Sequence, residues 1–257
     1  MTQDKRLNFL LHCLLAEQKE YEDIPMPDSL PEKRRLLRSL MNVRPPIPAR
    51  EDFLRMLDAY LKERLAERGV TRLKELTPVR PGLYLWQGDI TTLAVDAIVN
   101  AANSQMLGCF VPCHGCIDNA IHTYAGVQLR LECARLMAGQ EEEEPTGCAK
   151  ITKAYNLPCR YVLHTVGPII SGAVTRADRE LLASCYRTCL ELAESNGLHS
   201  VAFCCISTGE FRFPNELAAE IAIQTVGEWQ RKNPEKIKVI FNVFKDRDYE
   251  IYKRLLR

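Results

Sequence analysis

From about Arg80 onward, short β-rich runs alternate with helical patterns, and this alternation restricts the possible folds more than any single residue does. The runs are Leu83–Trp86, Ala97–Asn100, Ala149–Tyr155, Tyr161–Val166, Val201–Ile206 and Lys238–Phe244. Between or after them, helical spacing covers Ile117–Met137, Arg179–Ser195, Glu216–Arg231 and Asp248–Leu256. Strands that alternate with helices imply an α/β layered sheet with helices on both faces. The acidic run Glu141–Glu144, followed by Pro145, is expected to be a solvated loop.

The first seventy or so residues read differently, as helices without strands. Ser29 and Glu32 form an S-x-x-E capping box ahead of Leu36, Leu37, Leu40 and Met41. Pro45, Pro46 and Pro48 then break the chain. Phe53, Leu57, Tyr60, Leu61 and Leu65 recur at helical spacing up to Gly69, a C-cap. We therefore expect an N-terminal helical extension over residues 1–72, packed on a main domain over residues 73–257. Leu7–Ala16 resembles the apolar part of a secretory signal, but it has no small-residue cleavage site and runs into EQKEYED, so it reads as a helix. No stretch approaches the length of a membrane span.

Composition narrows the function classes. A hydrophobic content of 46% supplies a real core, and a net charge of +1 offers no basic footprint for nucleic acid or an anionic membrane. The eleven cysteines are odd in number, and Cys185, Cys189, Cys204 and Cys205 fall in apolar patterns as small buried hydrophobes. A reducing, cytoplasmic setting is expected, in which clustered Cys and His signify metal or catalysis. A monomer is the default.

Four features carry chemistry. Cys109, His114 and Cys116 are spaced C-x4-H-x-C within GCFVPCHGCIDN, with Cys113 a fourth candidate. Thiolates and an imidazole this close together suit zinc; three ligands would leave a catalytic position open, whereas four would close a structural site. His122, beyond the cluster, is expected to be a satisfied packing residue. Ser207-Thr208-Gly209-Glu210-Phe211 follows an apolar run and precedes a helix, so its backbone N–H groups could meet an anion. Gly88-Asp89-Ile90-Thr91 puts a carboxylate at another strand end, suited to a base amine or to a turn cap. Asn100 and Asn103 in IVNAANS carry amides that suit sugar hydroxyls.

Taken in order and spacing, GDIT, DAIVNAANS, IDNAIH, HTVGP and STGEFRFP resemble the macrodomain family, which binds ADP-ribose, over about Leu83 to the C-terminus. The resemblance implies a three-layer α/β/α sandwich around a mixed sheet. It also implies that Asp89 holds the adenine amine and Ile90 N–H the ring, while Ser207, Thr208, Gly209, Glu210 and Phe211 cradle the diphosphate. Asn103 and Asp118 would face the distal ribose as catalytic residues, with Asn100, Ile117 and Asn119 in the same binding set.

Common hydrolytic members carry glycines where this chain has CFVPCHGC, and Asn119 replaces a further glycine. This departure is similar to the zinc-containing macrodomains of Gram-positive bacteria and some fungi, which carry a helical N-terminal extension. That resemblance implies one Zn2+ per chain on Cys109, His114 and Cys116, with Cys113 outside the set. It further implies removal of mono-ADP-ribose from a modified protein, with a lipoyl-carrier protein as target and a sirtuin-type ADP-ribosyltransferase as partner. A non-catalytic reader with structural zinc, or a hydrolase of O-acetyl-ADP-ribose or ADP-ribose-1″-phosphate, are the competing expectations. Arg212 stands where many members have glycine, and its role is open between charging the phosphate site and pointing to solvent.

Overall fold

Three helices open the chain: α1 (Gln3–Leu15), α2 (Leu30–Val43) and α3 (Glu51–Arg68). The computed structural model describes residues 1–21 and 23–257. Ser29 accepts from Glu32 N at 3.4 Å as the N-cap of α2, and Gly69 ends α3 at φ +81°. The apolar stripes of the three helices meet in a small core of Leu7, Leu11, Leu40, Leu57 and Leu61, which Val127 of the main body joins. That shared residue is one point where the extension meets the remainder.

The strands that follow are β1 (Thr71–Arg72), β2 (Pro78–Arg80), β3 (Leu83–Gln87), β4 (Leu93–Ala94) and β5 (Ala97–Ala102). Next come α4 (Ile117–Ala125), α5 (Val127–Met137), β6 (Ala149–Lys153), β7 (Tyr161–Val166), α6 (Arg176–Ser195), β8 (Ser200–Phe203), α7 (Asn215–Lys232), β9 (Lys238–Val243) and α8 (Asp246–Leu255). Seven strands form one mixed sheet in the order β2-β3-β9-β8-β5-β7-β6, and β1 pairs with β4 in a short ribbon. β3, β9, β8, β5 and β7 are parallel, while β2 and β6 run antiparallel at the two edges. The central strands are buried on both faces, as flanking helices require, so Ile98, Val99, Val201, Ala202, Val239 and Ile240 are fully inaccessible. α6, α7 and α8 pack in succession, and α4 and α5 form a second group that α2 joins from outside. Among the described residues no helix is long and apolar enough to cross a membrane.

Three expectations need correction. The helix expected over Ile117–Met137 is two helices, broken at Gly126 (φ +101°), whose added Cβ would lie 2.7 Å from Gln128 Oε1. β6 and β8 end at Lys153 and Phe203, short of Tyr155 and Ile206, because Tyr155 and Ser207 take positive φ in turns. The acidic run Glu141–Glu144 is not solvated throughout: Glu144 is buried and pairs with Lys150 Nζ at 3.1 Å.

Because the five central strands are parallel, their carboxyl ends open at one edge of the sheet. The loops after β3, β5 and β8 leave from that edge, the usual place for a ligand in an open α/β sheet.

Candidate active site

The loop after β5 and the first turn of α4 hold the densest chemistry. Asp118 lies in that first turn, with only 5% of its surface exposed. Its Oδ1 accepts from Asn100 Nδ2 at 2.8 Å, and its Oδ2 from Asn103 Nδ2 at 3.4 Å. Burial pushes the carboxyl up to about 6, against the pull of the Asn100 bond and the Arg130 charge. Asn103 also donates to Gly108 O at 3.1 Å, closing its own loop. Gly108 (φ +80°) has to be glycine, because a Cβ there would come within 2.7 Å of the His122 ring.

Cys109, His114 and Cys116 bring one ligand atom each to within 4.8 Å of one another. Cys109 Sγ is 3.6 Å from His114 Nδ1, and Cys116 is the N-cap of α4, with its Sγ accepting from Asn119 N at 3.4 Å. Burial and the neighbouring Cys109 and Asp118 push the Cys116 thiol up to about 12, although the Asn119 N–H opposes them. A bound divalent cation would reverse that balance, and two soft sulfurs with one imidazole suit zinc by type and number. Cys113 faces elsewhere: at φ +54° it lies against α2, with Sγ 3.2 Å from Ser39 Oγ and its N–H on Asn42 Oδ1 at 2.9 Å.

The other predicted residues surround this centre. Asp89 caps a 3-10 turn: its Oδ1 accepts from Thr91 N and Oγ1, and its Oδ2 accepts from Arg68 Nη1 at 2.9 Å. Part of its carboxylate is thus already engaged, by a turn and by an arginine of α3. Ile90 is buried below it. In the loop after β8, Ser207 takes φ +63° and its buried Oγ has no partner among the described residues. Phe213 N donates to Ser207 O and Ile170 N to Phe211 O, which fixes both ends of the loop, with Gly209 and Glu210 exposed between them. Glu210 Oε1 reaches to 3.5 Å from His114 Nε2, so the two loops face each other. Arg212 is exposed at φ +57°.

Asn119 and Ile117 part company. Ile117 is partly exposed, whereas Asn119 is fully buried with its amide committed to Val111 O and to Arg38 of α2.

Two groups of residues escaped the sequence reading. His122 is buried as expected but not satisfied: neither ring nitrogen makes a hydrogen bond among the described residues, and Nε2 comes to 3.5 Å from Asp118 Oδ1 while Gly108 and α4 wall the ring in. Its nitrogens fall with Cys133 Sγ and a His164 nitrogen within 4.8 Å. Burial holds both imidazoles neutral, His164 down to about 3. The other group is a polar stripe on α2, Arg35, Arg38, Ser39 and Asn42, spaced at 3.6-residue periodicity beside the apolar one. Its spacing was visible; its target was not.

With this geometry in hand, comparison with known proteins is decisive. The Macro domain family model matches residues 99–222. The chain is 56% identical over 260 aligned residues to a protein-ADP-ribose hydrolase of Treponema medium, covering all of both chains. The chain belongs to the macrodomain family, in its protein-ADP-ribose hydrolase branch. A Staphylococcus aureus protein-ADP-ribose hydrolase is 48% identical, covering 96% of this chain and 94% of its own. A crystal structure of the Trypanosoma brucei macrodomain in complex with ADP-ribose superposes with a TM-score of 0.67 at 31% identity, covering 90% of this chain and 97% of that one. The macrodomain sheet and its flanking helices are thus the expected ones, helical N-terminal segment included.

Proposed function

We propose that this macrodomain removes mono-ADP-ribose from a modified protein side chain, and that zinc held by Cys109, His114 and Cys116 assists it. The observation that carries the reading is the sharing of one short segment by Asp118 and the three soft ligands: Cys116 caps the helix whose first turn bears the carboxylate. Bound zinc would supply a Lewis acid for an oxygen at the scissile end of the ligand.

The chain's own residues supply the remainder. Asp89 and the backbone at Ile90 bind the base, the Ser207–Phe211 loop takes the diphosphate, and that binding energy positions the distal ribose. Asn103 and Asn100 hold Asp118 so that its carboxylate faces the ribose, with Ile117 beside it. There Asp118 orients a water and accepts its proton as the water oxygen bonds to the ribose carbon and the bond to the protein side chain breaks. The leaving side chain then takes up a proton. Asn119 acts behind the loop rather than on the ligand.

The family resemblance supports a lipoyl-carrier protein as the modified substrate and a sirtuin-type transferase as the enzyme that modifies it. We assign a reducing, cytoplasmic setting, which the packing of Cys185, Cys189 and Cys204 as small buried hydrophobes supports. We assign the catalytic unit to residues 73–257 and the helical extension to residues 1–72.

The deciding experiment incubates a mono-ADP-ribosylated protein with the full chain, with and without a zinc chelator, and measures free ADP-ribose. Release that the chelator abolishes is expected. Binding of ADP-ribose without release would make the protein a reader. Release that Cys109→Ala leaves at full rate would remove zinc from the reaction. Faster turnover of O-acetyl-ADP-ribose or ADP-ribose-1″-phosphate than of modified protein would replace the substrate class.

A further inference from the structure

The polar stripe of α2 lies against the loop that carries the ligand triad. Arg38 Nη2 donates to His114 O at 2.9 Å and to Asn119 Oδ1 at 2.7 Å, and its Nε lies 3.2 Å from the same Asn119 oxygen. One guanidinium therefore ties a ligand's backbone to the residue whose N–H bonds Cys116 Sγ. Four positions on, Asn42 is 1% exposed, accepts from Cys113 N at 2.9 Å and donates to Thr123 Oγ1 of α4 at 3.0 Å. Beneath them the buried Arg130 of α5 donates to the carbonyls of Met41, Asn42 and Arg44 on one side and to Leu107 O on the other, with Cys109 O at 3.5 Å. The loop from Leu107 to Asn119 is thus gripped at Leu107, Cys113, His114 and Asn119 by groups that depend on α2.

We propose that Arg38 is a positioning residue of the active site, and that the N-terminal helices serve to hold the metal-binding loop in its ligating shape. Arg38 makes no hydrogen bond to a ligating atom of Cys109, His114 or Cys116. It acts through His114's carbonyl and Asn119's amide, and a loop of this length held only at its ends would spread its three donors over many conformations. A charged guanidinium is suited to this task, because its planar fork serves two acceptors at once and a lysine cannot reproduce it. The zinc readout below rests on the proposed zinc function; the thiol readout does not.

The test compares wild type with Arg38→Met, Arg38→Lys and a control, Arg6→Gln, which breaks the Arg6–Glu63 pair between α1 and α3. Zinc loss from the full-length protein is followed with a chromophoric chelator. Alkylation of Cys109 and Cys116 in metal-free protein is followed by peptide mass spectrometry. Arg38→Met is expected to release zinc and to react at both thiols about tenfold faster, the loss of charge-assisted hydrogen bonds, with Arg38→Lys between it and wild type. Arg6→Gln is expected to match wild type in both. A circular-dichroism melt shows whether Arg38→Met stays folded; if it does not, Arg38→Lys decides by the same two rates. Equal alkylation rates in folded Arg38 variants and wild type would overturn the proposal. Wild-type protein that binds no zinc would end the zinc reading while leaving Arg38 to be judged on alkylation alone.

Discussion

His164 lies directly across the β5–β7 strand pair from Asn100, with its Nδ1 3.1 Å from the Asn100 amide nitrogen that also serves Asp118. An amide nitrogen has two hydrogens, so if one goes to Asp118 Oδ1 the other meets His164 Nδ1 as an acceptor. The imidazole proton then sits on Nε2, facing Thr152 Oγ1 at 2.9 Å. A neutral histidine in the sheet interior therefore keeps the Asn100 amide turned toward the carboxylate.

That neutrality has a pH consequence. Burial lowers His164 from 6.5 to about 3, so as pH falls the unfolded chain takes up the proton first. The stability this supplies is complete above about pH 6.5 and is lost as pH falls toward 3. Each pH unit inside that window costs about 1.4 kcal/mol. Urea unfolding of wild type and His164→Gln at pH 7.5 and pH 5 should show wild type losing about 2 kcal/mol more than the variant. Equal losses in the two proteins would mean that His164 is not the group responsible.

Asp118→Asn keeps an acceptor for Asn100 but cannot take a proton. Hydrolysis is expected to fall at least about 100-fold, while calorimetry finds ADP-ribose affinity within about threefold of wild type. Its melting temperature should not drop, because the substitution removes a buried charge. Retained turnover would refute a proton-accepting role.

Asp89→Ala tests the base end. It removes Oδ2 from Arg68 and Oδ1 from Thr91 along with the proposed amine contact. ADP-ribose should bind about tenfold more weakly, the loss of one good hydrogen bond to a charged group. Ribose 5-phosphate, which lacks the base, should bind unchanged. A parallel loss for both ligands would place Asp89 outside base recognition.

Gly167→Ala addresses the diphosphate loop from beneath. A Cβ at residue 167 would sit 2.0 Å from Ser207 Oγ and 2.8 Å from Ile206 Cγ2, so Ser207 has to move. ADP-ribose affinity is expected to fall about tenfold, with adenosine binding preserved. Unaltered ADP-ribose binding would show that the loop tolerates the shift.

What the sequence disclosed followed the range of its signals. Cys109, His114 and Cys116 lie within eight residues of each other, so spacing alone grouped them, whereas Asp118 came only with the family resemblance. Helical and strand periodicity placed the layers, because the central strands are continuous apolar runs. The break at Gly126 stayed hidden because apolar spacing continues across it, and only the backbone angle ends α4 there. Asn100 and His164 are 64 positions apart, and the strand register that joins them is a tertiary fact. The stripe on α2 was visible in its spacing but not in its target: polar residues beside an apolar row look like a solvated face until a loop is laid against them, burying Asn42. Spacing left Cys113 a fourth candidate; the resemblance put it outside the set, and its left-handed backbone, which turns it toward Ser39, gives the physical reason.

Arg130 has a bearing on how such a chain can be divided. Its cation is buried and finds its acceptors partly at the end of α2 and partly on the loop after β5. A version beginning at residue 73 would strip away the carbonyls of Met41, Asn42 and Arg44 and leave the guanidinium open to water, held only from the Leu107 side. The end of α2 and the loop after β5 therefore share one buried anchor, and an edit to either reaches the other.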